Sequence, residues 1–147
     1  MAIVSVEMVR VQATARDKQD AIRQAGELLI QSGCVAPGYV DGMLAREQTM
    51  STYIGNGVAI PHGQHENLDD VRRTGISVLQ IPQGVEWESG ERAYLVLGIA
   101  ANAEEHVGVL ANLAEVIEDP ESADELVRTT DPLVIVERLG RPRTAEV

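Results

Sequence analysis

The chain has 147 residues and a formal net charge of −11, from 23 acidic and 12 basic residues. It carries no basic stripe to neutralise phosphates, which argues against nucleic acid as a partner, and no apolar run approaches the roughly 20 residues that span a bilayer, which argues against membrane insertion. A single cysteine, Cys34, cannot form an intramolecular disulfide and fits a reducing compartment.

The length predicts one domain over residues 1–147. With no Phe, one Trp and three Tyr, its core has to be built from Val, Ile, Leu, Ala and Met. Met1 to Arg10 lacks the charged and long apolar regions of a signal peptide, so a cytoplasmic protein is expected. Val9 to Ala13 reads as a short edge strand. Asp17 is placed to cap a helix running to Gln31, with Ala21, Ile22, Ala25, Leu28 and Leu29 at helical spacing and Gly33 as its stop. Pro37 opens a second helix to Glu47, with Val40, Met43 and Leu44 as its apolar face and Arg46 in its last turn. Thr74 to Ile81 alternates and is rich in β-branched residues, which predicts a strand, and Pro82-Gln83-Gly84 predicts a turn after it. Ala93 to Ala100 is nearly all apolar, the pattern of a central strand buried on both faces. Glu104 to Glu118 is a helix ended by Pro120, and shorter helices follow over Ser122 to Arg128 and Asp131 to Leu139. The mixture predicts an α/β (α+β) fold: a mixed β-sheet flanked by helices in a single domain.

The most informative stretch is Tyr53-Ile54-Gly55-Asn56-Gly57-Val58-Ala59-Ile60-Pro61-His62-Gly63. Gly55-Asn56-Gly57 takes positive φ readily and predicts a turn. Val58 to Ile60 is long enough only for a brief strand, which Pro61 stops by removing a donor. His62 is thus delivered at a strand end, with little bulk beside it at Gly63. A histidine approached closely by another molecule needs that setting; a core histidine does not.

His106 is the second histidine of interest. Steps of four, three and four lead from it to Leu110, Leu113 and Ile117, so it sits on the buried stripe of its helix, one turn from the start. Alone it reads as a core histidine. Just beyond a central strand, where ligands and anions settle beside helix N-termini, a site shared with His62 is the better reading. Arg46 is the natural third member, its planar fork suited to phosphate or carboxylate, although position alone reads as an arginine favoured by the helix dipole. Ser51 and Thr52 either donate to an anion or cap a turn. His65 makes His62-x-x-His65, but Pro61 and Gly63 argue against a helix there, and no cysteine is near, so no metal or other cofactor is expected. Cys34 has no neighbouring basic residue and reads as a small buried hydrophobe. What remains is a histidine nucleophile with a second histidine and an arginine. Neutral imidazole attacks phosphorus well, and phosphoryl transfer asks chiefly for positioning and charge stabilisation.

Three segments resemble one family. Ile54-Gly-Asn-Gly-Val-Ala-Ile-Pro-His62-Gly resembles the phosphorylation motif of the fructose/mannitol class of enzyme IIA domains of the bacterial phosphoenolpyruvate-dependent sugar phosphotransferase system. Met43-Leu-Ala-Arg46-Glu47 is similar to its "RE" segment, and Leu97-Gly-Ile-Ala-Ala with Glu105-His106 to its second-histidine segment. Arg73 to Trp87 looks most like the mannitol branch. The resemblance covers roughly Val9 to Leu139. It implies that His62 is a tele-phosphohistidine intermediate, charged by the phosphocarrier protein HPr and discharged to a cysteine of enzyme IIB on a separate protein. It also implies that His106 and Arg46 assist at the phosphoryl group, and it assigns His65 no role. Two rivals are a regulatory module switched by phosphorylation and a zinc hydrolase using His62, His65 and His106.

Overall fold

The computed structural model describes residues 4–64, 69–101 and 103–140, without the side chains of 103–107, 110, 112 and 140. A turn of 3-10 helix at Val6–Met8 leads into β1, Val9–Arg10. The strand is shorter than the sequence suggests because Gln12 takes a left-handed φ of 56°. Helix α1 spans Lys18–Gln31. Its N-cap is Asp17, whose carboxylate accepts the Asp20 N–H at 2.8 Å, and its stop is Gly33 at φ 77°, beyond which Cys34 N–H reaches back to Leu29 at 2.9 Å. Helix α2, Tyr39–Thr49, begins two residues after Pro37. Its buried stripe is Tyr39, Met43 and Glu47; of the expected face of Val40, Met43 and Leu44, Met43 is buried as expected and the other two are only partly buried.

Strands β2, Tyr53–Gly55, and β3, Val58–Ala59, form a small hairpin. Strand β4 covers Gly75–Glu88 and β5 covers Glu91–Ala100. The turn expected at Pro82-Gln83-Gly84 is a bulge inside β4. Gln80 pairs with Leu95 and Val85 with Ala93, so residues 81–84 face a single residue of β5. Proline cannot donate to the ladder, and Gly84 at φ 74° absorbs the bend. Arg92 donates to the carbonyls of Gln83 and Gly84 that the bulge turns out. Helices α3, Ala103–Glu118, α4, Pro120–Arg128, and α5, Pro132–Gly140, complete the chain. Pro120 ends α3 and is itself the first residue of α4, capped by Asp119.

The sheet order is β1-β4-β5-β3-β2. β1 runs parallel to β4 and β3 parallel to β5, while β4–β5 and β2–β3 are antiparallel. Alternate residues of the central strands enter two cores. Leu79, Ile81, Val96 and Ala100 pack with α1 and α2; Val78, Leu95, Leu97 and Ile99 pack with α3, α4 and α5. The expected mixed sheet flanked by helices is therefore the observed architecture.

Ser77 and Gln80 are the buried polar side chains of β4, and Gln80 makes the larger set of contacts. Fully buried on β4, it donates to Leu126 and Thr129 carbonyls at 2.9 and 2.6 Å and accepts the Gln12 N–H at 3.0 Å. Gln80→Leu keeps the volume and leaves three backbone groups without that partner. We expect a loss of about 2–4 kcal/mol in urea unfolding; a loss within about 0.5 kcal/mol would mean those groups find other partners.

Candidate functional site

The hairpin that carries His62 is shaped by three consecutive positive φ angles, at Gly55 (98°), Asn56 (53°) and Gly57 (77°). Two are glycines, and asparagine is the side chain that best tolerates the third. Asn56 donates its amide to Ile117 O at 2.7 Å, fastening the hairpin tip to the end of α3. From there β3 runs beside β5, with Val58 opposite Leu95 and Ala59 opposite Val96, and the same register returns at His62 opposite Ile99. His62 therefore sits at the carboxyl end of two parallel strands, beside the point where β5 gives way to α3. The strand-end placement expected from Pro61 is what the fold shows.

His62 is 9% exposed. Its Nδ1 lies 2.9 Å from the Ile60 carbonyl. A carbonyl only accepts, so Nδ1 carries the proton and, in the neutral ring, the lone pair is on Nε2. Gly63 is not an open approach for another molecule, as the sequence suggested. A Cβ there would lie 2.6 Å from the Tyr39 ring, so the glycine makes room for that ring. The Tyr39 hydroxyl accepts the Gly63 N–H at 2.9 Å and donates to Ile99 O at 2.8 Å.

Arg46 lies in the last turn of α2, and its Nη1 donates to Met50 O at 2.7 Å, so one of its five donors caps its own helix. Thr52 and Ser51 cap turns: Thr52 gives both its N–H and its hydroxyl to Glu47, and Ser51 Oγ accepts the Tyr53 N–H. Glu47 also accepts the Trp87 indole N–H at 2.9 Å and pairs with Lys18 at 3.6 Å. Thr52 O in turn accepts the Ile60 N–H at 3.0 Å, one residue before Pro61. A contiguous set of contacts thus runs from the end of α2 to the strand of His62. Sequence reasoning missed Glu47 and Tyr39 as parts of this frame. Their signal was the i, i+4, i+8 spacing of Tyr39, Met43 and Glu47.

The backbone places His106 as the fourth residue of α3, but its side chain lies outside the described ones, and His65 lies outside the described residues. Among the described residues, no three His, Cys, Asp or Glu side chains are grouped to hold a metal ion. Cys34 is buried as expected, yet a basic residue is near it after all: Arg73, whose backbone N–H donates to the Cys34 carbonyl at 3.3 Å and whose charge pulls on the thiol.

A histidine at the carboxyl end of a parallel strand pair, in a five-stranded mixed sheet covered on both faces, is the frame of an enzyme IIA domain. The crystal structure of IIA mannitol from Escherichia coli has this fold at a TM-score of 0.86 and 39% identity, covering 92% of this chain and 97% of that one. The complex of mannitol enzyme IIA with phosphorylated mannitol enzyme IIB from the same organism matches at 0.87 and 38%, covering 93% and 97%. The family described as phosphoenolpyruvate-dependent sugar phosphotransferase system, EIIA 2, matches residues 2–140, and the chain belongs to it. A multiphosphoryl transfer protein of Xanthomonas campestris pv. campestris is 49% identical over 146 residues, 99% of this chain and 17% of that protein. The mannitol-specific phosphotransferase enzyme IIA component of Bacillus subtilis is 39% identical over 127 residues, 86% and 89% of the two. The chain thus spans only part of its multiphosphoryl relatives and nearly all of the mannitol one.

Two buried groups, of which Tyr39 touches the site, give a pH dependence with a definite sign. Burial pushes the Cys34 thiol up, against the pull of Arg73, and the Tyr39 phenol up, against the hydrogen bond from Gly63. The native state therefore keeps protons that the unfolded chain releases. Stability should fall as pH rises above about 8.5 for the thiol and about 10 for the phenol, by at most about 1.4 kcal/mol per pH unit per group. Cys34→Ala should abolish the earlier phase and keep the later one. Denaturant midpoints followed into the alkaline range measure both, and an unchanged early phase in the variant would show that the thiol is not its source.

Proposed function

We propose that this domain relays phosphoryl groups, with His62 Nε2 as the acceptor. The observation that supports this most is the Nδ1–H bond to Ile60 O, which presents the Nε2 lone pair as the nucleophile. In the forward step Nε2 attacks the phosphorus of phosphohistidine on HPr, the new N–P bond forms as the old one breaks, and the carrier's imidazole leaves. In the second step a cysteine thiolate of enzyme IIB takes the group and His62 returns to its neutral form. Arg46 has donors beyond the one on Met50 for the phosphoryl oxygens, and His106 stabilises charge as it builds. The reading places the domain, over residues 1–147, in the cytoplasm; among the described residues no helix is long and apolar enough to cross a membrane. Mannitol is the proposed sugar because the Bacillus subtilis and Escherichia coli relatives are named for it. The Xanthomonas relative, more similar at 49%, is named for multiphosphoryl transfer without a sugar, so a transfer assay with mannitol and fructose enzymes IIB side by side separates the two.

Incubation with phosphoenolpyruvate, enzyme I and HPr should add one acid-labile phosphoryl group to the wild type and none to His62→Ala, read by intact mass under alkaline conditions. Label persisting in the variant, or mapping to His65, His106 or a serine, would refute the assignment. The rate should fall with added salt, as the −11 charge steers a basic partner face.

His106→Ala should still accept phosphate, because the nucleophile is intact, but pass it on about 100-fold more slowly. Rapid-quench transfer to enzyme IIB at the wild-type rate would remove His106 from the site.

A further inference from the structure

The two parallel strands that present His62 part company at one point, and a side chain from another element stands in the gap. Ile99 N–H donates to Pro61 O at 3.0 Å, the rung just before His62. In a parallel ladder the next rung runs from Gly63 N–H to Ile99 C=O. Here the hydroxyl of Tyr39 occupies that rung, accepting the N–H at 2.9 Å and donating to the carbonyl at 2.8 Å.

We propose that Tyr39 is a positioning residue for phosphoryl transfer, its hydroxyl wedged into the last rung of the β3–β5 ladder so that the backbone turns away from β5 at the residue bearing the imidazole. The inference rests on the reading of His62 as acceptor. A hydroxyl has one proton, so donating to Ile99 leaves its lone pairs for Gly63, and both contacts have a fixed direction. Two hydrogen bonds in series through a bent hydroxyl hold the backbones up to about 2 Å farther apart than a direct rung, while His62 still faces Ile99 in register. The seat is built for the ring: Tyr39 is 2% exposed and lies where a side chain at position 63 would have to go. Burial also keeps the phenol protonated through neutral pH, so the donor persists.

The consequence for His62 is geometric. Its Nδ1 must reach back to the carbonyl of Ile60, two residues earlier on the same chain. That loop is held on one side by the Pro61 rung and on the other by the Gly63 contact with Tyr39. Without the hydroxyl, Gly63 N–H and Ile99 C=O can pair directly, so nothing is left unsatisfied. The strands then close and the imidazole is carried out of its orientation. The effect belongs in tautomer and rate rather than in folding.

Tyr39→Phe keeps the ring and removes the wedge. Long-range proton–nitrogen NMR, with the His62 signal assigned by its loss in His62→Ala, should show the Nδ1–H tautomer dominant in the wild type and depleted in Tyr39→Phe. Single-turnover transfer from HPr should slow by about 10- to 100-fold with half-saturation unchanged. Ile135→Val, in the core of the opposite face, serves as the destabilised control and should keep the wild-type spectrum and rate. Wild-type tautomer and rate in Tyr39→Phe would overturn the proposal, and so would an equal loss in Ile135→Val. If HPr fails to label His62 in the wild type, the acceptor reading fails, and the tautomer comparison still decides whether Tyr39 orients the ring.

Discussion

Strand β5 is covered by side chains on both faces, so its backbone N–H and C=O groups have to be satisfied in the plane of the sheet. The structure depends on this constraint. β4 supplies one edge through a long antiparallel ladder; the other edge has only the short β3 and its continuation. The residues just past β3, including Pro61 and His62, are therefore drawn against β5 because β5 needs partners there. The site is a product of hydrogen-bond accounting in the sheet. The Tyr39 hydroxyl, reaching in from α2, completes that accounting where β3 can no longer do so.

The second organising contact is the buried carboxylate of Glu47. It gathers a threonine, an indole N–H and a lysine at the end of α2. A carboxylate out of water is tolerated only when its oxygens are paired in this way, and removing one partner of such a set is far more damaging than never having had it. The turn after α2 is thereby fixed, and with it the point at which the β2–β3 hairpin is launched.

How far the sequence spoke depended on how local the deciding interaction was. Helix α1 was readable almost to the residue, because Asp17 and Gly33 act within a few positions of themselves. The place of His62 at a strand end was readable from Pro61 for the same reason. Pro82 to Gly84 was ambiguous: proline and glycine suit a turn and a bulge equally, and only the partner strand decides. Strand β2 was missed because three residues make no periodic signal and are a strand only by pairing with β3. The buried side of α2 was misjudged since an acid is normally exposed, and the tryptophan that buries Glu47 lies 40 residues away. Gly63 was recognised as special for the wrong reason, because its neighbour in space, Tyr39, is 24 residues distant.

The two borders of the sheet, β1 and β2, are two and three residues long, the first cut by a left-handed glutamine and the second ending in a glycine at positive φ. Long, flat borders invite another chain to add itself as a strand, whether as a recognised peptide or as the start of an aggregate. Borders this brief offer few backbone groups of their own to copy, although β4 runs on well past its two-residue pairing with β1. A partner that meets β1 or β2 therefore finds side-chain shape and charge rather than a long strand to pair with, as suits contacts made and broken many times.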